Sequence, residues 1–486
     1  MATSFHSVKL KTNLVLLAGV LAVISAGAAW WQWSGNRLAI VEETRPATPD
    51  LSAKAEVLRT RIAAAEARSQ HRFTATAGLA ELSRLLHANG FLEDATKCYT
   101  GLERLEPDEP RWFHRHATIL AGYGEVEPAL GLWQRVIKLA PDYLPARLRV
   151  GDCLLKSNRA DEAAVMFSSV LKQDATNPYA LLGLSRIDLE AHRWEQARER
   201  LEKVVSQTNF QLGYDLIVSL YERLGQSDRA AAIRGSTKAS GAYRDLPDPW
   251  MDELIDVCFD PYRLAVAAGI AATPQDTIRL LERAVELAPD DVSYRFQLGC
   301  AAEAQHNFPL AREYLERCTI MAPEFADGWA HLSALQAQQG DNAAAVRTVL
   351  TGLAHCPASP GLHLMRARAL KDQGQIAEAI NEYKISIHYR DNEPDAYVEL
   401  GNVLISAGRE AEGIEQMRRA LEADPGDPTA LGVLTFAAIT SGDEAEARRW
   451  FKRVNHQPRM PAAQIAGLHE IYRQTFGHDW IPAGAE

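Results

Sequence analysis

The chain has 486 residues, a formal net charge of −11 and a pI near 5.8. That balance supplies no basic surface to neutralise phosphates, so nucleic acid is not the expected ligand. Cys98, Cys153, Cys258, Cys300, Cys318 and Cys356 include no C-x-x-C pair, which excludes a zinc ribbon or a haem attachment and leaves them as small apolar side chains.

No charge occurs between Lys11 and Arg37, and Leu14 to Trp33 is mostly aliphatic and aromatic. About twenty apolar residues span a hydrocarbon core of roughly 30 Å. The expectation is a cytoplasmic tail over 1–12 and a transmembrane signal-anchor over 13–33. Lys9 and Lys11 stay inside, while Glu42, Glu43 and everything after them are exported to the periplasmic side. Trp30, Trp31 and Trp33 would form the interfacial aromatic belt. Ala26-Gly27-Ala28 equally fits a small-x-small cleavage pattern, which would release a secreted chain after Ala28. Residues 34–49 carry Gly and two Pro and read as a linker, and 50–75 as a capping helix with Leu58, Ile62 and Ala65 on one stripe.

From residue 76 a short period takes over. Steps of 34 back from Pro425 land on Asp391, Pro357, Pro323 and Pro289, and twelve residues earlier stand Gly413, Ala379, Ala345, Ala311 and Thr277. The same small-residue slot continues upstream at Ala95, Ala129, Ala163, Ala197 and Ala231, and downstream at Ala447. A methyl there lets two helices approach closely, whereas a larger group would wedge them apart. Gly90, Gly124, Gly225, Gly340, Gly374, Gly408 and Gly442 fall where the first helix of each unit must turn into the second. Candidate units start near 76, 110, 144, 178, 212, 258, 292, 326, 360, 394 and 428: five over 76–245 and six over 258–460. Between them, 246–257 breaks the phase with Leu246-Pro-Asp-Pro-Trp250 and three acids, read as a joint whose Trp250 fills a gap, or as a docking or hinge element. Residues 461–486 supply a final capping helix and tail, with Ile465, Leu468 and Ile471 on one side.

Trp329-Ala-His-Leu332, Tyr397-Val-Glu-Leu400-Gly401, Ala163-Ala-Val-Met-Phe167 and Ala447-Arg-Arg-Trp-Phe451 resemble the tetratricopeptide repeat, W-x-x-L-G then A-x-x-x-F then Pro over 34 residues. With the amino-terminal segment, the chain is similar to membrane-anchored bacterial-type members of that family. The resemblance implies an all-α fold: a right-handed superhelical solenoid of about eleven helix-turn-helix repeats, preceded by one transmembrane helix. It also implies that first helices line a concave groove for an extended peptide or a helix. Carried onto this chain, Tyr262, Phe296, Arg368, Lys371, Asn402 and Phe436 are the candidate contacts, in a trough that also takes in Phe259, Val266, Ile270, Ala330, Ala334, Ala337, Ile405 and Ile439. The amino-terminal half offers a more basic set, Arg84, His87, Arg111, His114 and Arg186.

No phosphate loop, dinucleotide fingerprint, nucleophile elbow or calcium loop is present, and His469-Glu470 lacks the second His of a zinc-protease helix because Arg473 stands there. No cofactor, no metal and no catalysis are expected. The expected role is a cell-envelope scaffold for other proteins, envelope or membrane proteins among them; the alternative is a secreted periplasmic chaperone or carrier.

Overall fold

The structure, a computed structural model, describes residues 24–208, 210–234, 246–271, 273–455, 457 and 459–480. Their regular structure is helical, with no strand among them. In chain order, residues 24–44 form α1, followed by α2 (Glu56–Gln70), α3 (Ala75–Ala88), α4 (Leu92–Leu105), α5 (Pro110–Gly122), α6 (Val126–Leu139), α7 (Leu144–Lys156), α8 (Ala160–Leu171), α9 (Pro178–Glu190) and α10 (Trp194–Gln207). Next come α11 (Gln211–Arg223), α12 (Ser227–Arg234), the short α13 (Pro249–Asp252), a 3-10 turn at Ile255–Val257 and α14 (Pro261–Gly269). The rest comprises α15 (Pro274–Leu287), α16 (Val292–Ala304), α17 (Phe308–Met321), α18 (Ala326–Gln338), α19 (Asn342–His355), α20 (Pro360–Asp372), α21 (Ile376–Tyr389), α22 (Pro394–Ser406), α23 (Glu410–Ala423), α24 (Pro428–Thr440), α25 (Glu444–Val454) and α26 (Ala462–Phe476).

Helix starts at Pro110, Pro178, Pro360, Pro394 and Pro428 use proline where a missing N–H costs nothing. First helices end in a left-handed residue: Gly90 has φ 91° and Gly374 φ 75°, while His306 takes φ 58° in a repeat without a glycine there. The small-residue slot is closed wherever its side chain is described as alanine: Ala95, Ala129, Ala163, Ala197, Ala311, Ala379 and Ala447 are fully buried and Ala345 nearly so. Between hairpins, the Phe167 ring lies against the glycines of two first helices. A methyl on Gly151 or Gly183 would stand 2.6 or 2.5 Å from it. Glycine is therefore what lets α7 and α9 share one aromatic knob.

The chain divides into two compact units, residues 1–208 with 243–270, and residues 209–242 with 271–486. In the first, α2 packs on α3, and hairpins α3–α4, α5–α6, α7–α8 and α9–α10 follow. In the second, hairpins run from α16–α17 to α24–α25, with α15 on α16 and α26 on α24. Cores follow the helical stripe: Leu79, Leu82 and Leu86 in α3 are almost wholly buried with Leu58, Ile62, Tyr99 and Leu102.

Two expectations change. The segment 34–49, read as a linker, is helical to residue 44, and Val41 and Thr44 are buried. The reason is local: a Cβ on Gly101 would collide with Thr44 Oγ1, so a bare glycine on α4 admits the end of α1. The unit read as starting at 258 is divided, its first helix α14 belonging to the first compact unit and α15 to the second. Ion pairing of Lys54 with Asp260 (3.0 Å) and Asn89 contacts to Val257 and Phe259 hold that stretch in the first unit. Residues 13–23 of the expected transmembrane span lie outside the described residues. Among the described residues no helix is long and apolar enough to cross a membrane.

Candidate functional site: the first-helix faces of the two units

In the first unit, the face made by α3, α5 and α7 is not bare. Residues 246–260 cross it, and the groove residues grip them chiefly through main chain. Arg115 donates from Nε and Nη2 to the Trp250 carbonyl at 3.0 and 2.8 Å, and Tyr143 Oη accepts from the Trp250 amide at 3.2 Å. Seven to nine residues on, the Asn89 side chain donates to the Val257 carbonyl (2.9 Å) and accepts from the Phe259 amide (2.6 Å). A primary amide at that spacing satisfies both polar groups of an extended chain, which is how a helical face holds a peptide without demanding its sequence.

Two side chains of the segment are held specifically. The Trp250 ring stacks on Tyr143 with centroids 3.5 Å apart and 9° between planes, and His114 meets it edge-on at 5.6 Å. Asp248, 2% exposed, accepts from His114 Nε2 at 2.9 Å and Tyr143 Oη at 2.5 Å, with Arg149 Nε at 3.5 Å. Burial alone would push the Asp248 carboxyl up. The His114 hydrogen bond and charge, with Tyr143 and Arg149, outweigh it and hold the group below the ordinary carboxylate range. The Tyr143 hydroxyl is raised, first by burial and then because its proton is engaged by Asp248. Glu253 reaches Arg115 at 2.6 Å. Nearby, burial pushes the His87 imidazole down to about 3, with the positive charges of Arg115 and Arg263 adding to it; its Nδ1 lies 3.0 Å from Tyr99 Oη.

Within the second unit the predicted contacts separate. Phe296 is half-buried, edge-on to Phe325 (5.1 Å) and His331 (4.9 Å), so it is largely a packing residue. Arg368 on α20 forks onto Glu399 of α22 at 2.9 and 2.5 Å, and Glu399 also accepts from Tyr383 at 2.9 Å. Its guanidinium thus stitches adjacent hairpins, and the Glu399 bond raises its pKa further. It also lines a cleft of about 580 Å³ between α18, α19 and α20 with Ala337, Val346, Val349, Met365 and Ala369, and with the polar Ser333, Asn342, Asp372 and Gln373. Lys371, 3.8 Å from Asp372, and Asn402 are exposed. Phe436 is half exposed on α24, and a second cleft of about 460 Å³ is lined by its neighbours Leu434, Ala437 and Ala438 with Ile414 and Arg418. Ile439, expected in the trough, is fully buried in the core.

Tyr262 is well exposed, but on α14 of the first unit; Phe259, on the same stretch, packs into that unit's core. Of the basic amino-terminal set, His114 and Arg111 meet the crossing segment, and His87 lines a cleft of about 200 Å³ with Met251, Leu254 and Cys258. Asn89, Arg115 and Tyr143 were not singled out from sequence. An Asn closing a first helix opposite a phase-breaking insertion was the one available signal. Among the described residues no group of three or more His, Cys, Asp or Glu could hold a metal ion, and none of the six cysteines forms a disulfide.

These features define a helical-repeat protein, one face of which holds a segment of its own chain. Tetratricopeptide repeat models match residues 154–220, 296–362 and 364–428, and support that family for the repeats. DnaJ homolog subfamily C member 3 of Homo sapiens is 36% identical over 94 residues, which is 19% of this chain and 19% of that protein. Protein CTR9 homolog of Arabidopsis thaliana is 26% identical over 174 residues, 33% of this chain and 16% of the relative. The chain thus spans about a fifth or less of these relatives' lengths. Among solved structures, yeast Tom70 is 13% identical with a TM-score of 0.39, covering 83% of this chain and 97% of that one.

Proposed function

We propose that the protein is a non-catalytic scaffold that gathers other proteins by binding extended peptides or helices on its first-helix faces. The observation carrying this reading is the cleft between α18, α19 and α20. More than half of its lining is aliphatic, Ser333, Asn342, Arg368, Asp372 and Gln373 supply polar groups, and its volume suits one or two large side chains of a partner segment. Tyr262, Lys371, Asn402 and Phe436 are exposed on the same series of helices and extend the proposed contact surface within their own units. The test is affinity capture of the full chain with and without Ala337→Glu and Phe436→Glu, both at exposed positions. Specific partners should fall at least about tenfold in the variant while helicity is unchanged; an unchanged set of partners refutes the reading.

The amino-terminal segment is part of the proposal: an anchor in the membrane, with the repeats on the exported, periplasmic side among envelope or membrane proteins. Support comes from the uncharged run before Arg37 and from an exposed aromatic surface at its end. Trp30, Trp31, Trp33 and Phe73 are each more than half exposed; Trp30 stacks on Phe73 at 4.8 Å, and the Arg72 guanidinium lies 3.9 Å over the Trp31 ring. Tryptophan with arginine is the composition of a headgroup interface. The competing reading, release after Ala28 as a periplasmic carrier, would cut within α1. Mass measurement of the mature amino terminus separates them: Met1 retained supports the anchor, and a start at Ala29 overturns it.

A further inference from the structure

The insertion 246–260 behaves as a ligand of its own chain. Its helices are too short to be a repeat, four residues in α13 and three in the turn that follows. Its tie to the groove is a peptide's tie: main-chain groups of Trp250, Val257 and Phe259 held by Arg115, Tyr143 and Asn89, one buried carboxylate, and one stacked indole. It is also incompletely seated. Only Leu246, Asp248, Leu254 and Cys258 are buried, and the cleft of about 200 Å³ beside His87 remains between the segment and α3.

We infer that the α3–α5–α7 face is a peptide-binding site held closed by residues 246–260, and that its partner in trans is an extended acidic segment carrying Asp-Pro-Trp or Asp-Pro with another aromatic residue. The chemistry of that partner is read from the occupant. His114, Tyr143 and Arg149 converge on one carboxylate, the Tyr143 ring and the His114 edge demand a planar side chain two residues on, and Arg111 and Arg115 receive a further acid at the position of Glu253. Proline between the two anchors fixes φ and brings no backbone N–H that the groove would have to satisfy. Because the occupant is tethered, it acts at an effective concentration of about a millimolar. A trans peptide of about 10 µM intrinsic affinity would then bind roughly a hundredfold more weakly until the strap is loosened. The inference rests on the reading of first-helix faces as peptide-binding surfaces. It can fail alone, since capture through Ala337 and Phe436 would be untouched.

The test uses the full chain and a fluorescent synthetic peptide of residues 246–260. With Asp248→Ala and Trp250→Ala in the chain, the peptide should bind at least tenfold more tightly than to the unaltered chain, and a peptide bearing the same two changes should not bind. No binding to either chain, or equal binding to both, overturns the inference. Should the double variant not fold, amide exchange of the unaltered chain decides. Trp250 and Phe259 amides should exchange at least a hundredfold faster than Ala117 in α5, by local release. Exchange in step with Ala117 would make the segment a fixed part of the core and overturn the inference.

Discussion

Gly413→Ala pits the repeat pattern against the packing. Most other slot positions are alanine, and an alanine in a helix interior is favoured over glycine by about 1 kcal/mol, so the pattern predicts a gain. The structure predicts a loss. A Cβ at residue 413 would stand 2.6 Å from Ile405 Cγ1, 2.7 Å from the Gly401 carbonyl oxygen and 3.2 Å from the Ile405 nitrogen. Two of those three atoms are α22 backbone, so relief requires the helices of the α22–α23 hairpin to part. Overpacking of that kind costs about 1–3 kcal/mol, and backbone collision puts it at the upper end, leaving a net loss of about 2 kcal/mol. With a slope of about 2 kcal/mol/M, the urea midpoint followed by circular dichroism should fall by about 1 M. Gly467→Ala, within α26 and with nothing inside 4 Å of its Cβ, is the control and should raise stability by up to about 1 kcal/mol. Ile405→Ala added to Gly413→Ala should recover part of the loss relative to Ile405→Ala alone. A midpoint that rises with Gly413→Ala would refute the account of the slot as a distance constraint.

Three further outcomes are expected. His87, held near 3 when folded against 6.5 unfolded, contributes stability that is complete above about pH 6.5 and is lost as pH falls toward 3, because the unfolded chain takes up the proton first. The loss from pH 7 to pH 5 should reach about 2 kcal/mol, and His87→Phe should flatten denaturation midpoints across that window. Asp248 acts lower: its contribution is present above 3.8 and disappears as pH drops through its depressed folded value, so Asp248→Asn should remove pH dependence only below about 4. Glu399→Ala leaves Arg368 and Tyr383 without their shared acceptor and should cost about 1–3 kcal/mol, read as a lower thermal midpoint, with Glu399→Gln retaining part of it.

The hairpins were legible because their causes are local and repeated. Proline at the first turn, a left-handed residue at the hinge and a methyl-sized slot recur in phase, so helix starts at Pro110, Pro360 and Pro394 follow from the register. The crossing segment was not, since Asn89 meets Val257 across 168 residues and Tyr143 meets Asp248 across 105, and no period encodes either pairing. For the same reason Arg368 was expected as a groove contact without its tie to Glu399, which lies 31 residues on in the next hairpin. The end of α1 was hidden by Pro46 and Pro49, which mark a stop but not how far the helix runs before it. Its burial depends on the absent side chain of Gly101, a contact visible only once α4 is placed.

The continuity of α1 has a mechanical consequence. Over 21 residues it is a rod of about 30 Å whose far end, at Thr44, is seated directly on Gly101 of the first hairpin. A pull or a twist applied near Trp30 is therefore delivered whole to Leu58, Ile62 and Leu79, where a coil would have absorbed it. Whatever grips the near end sets the heading of everything folded against α3.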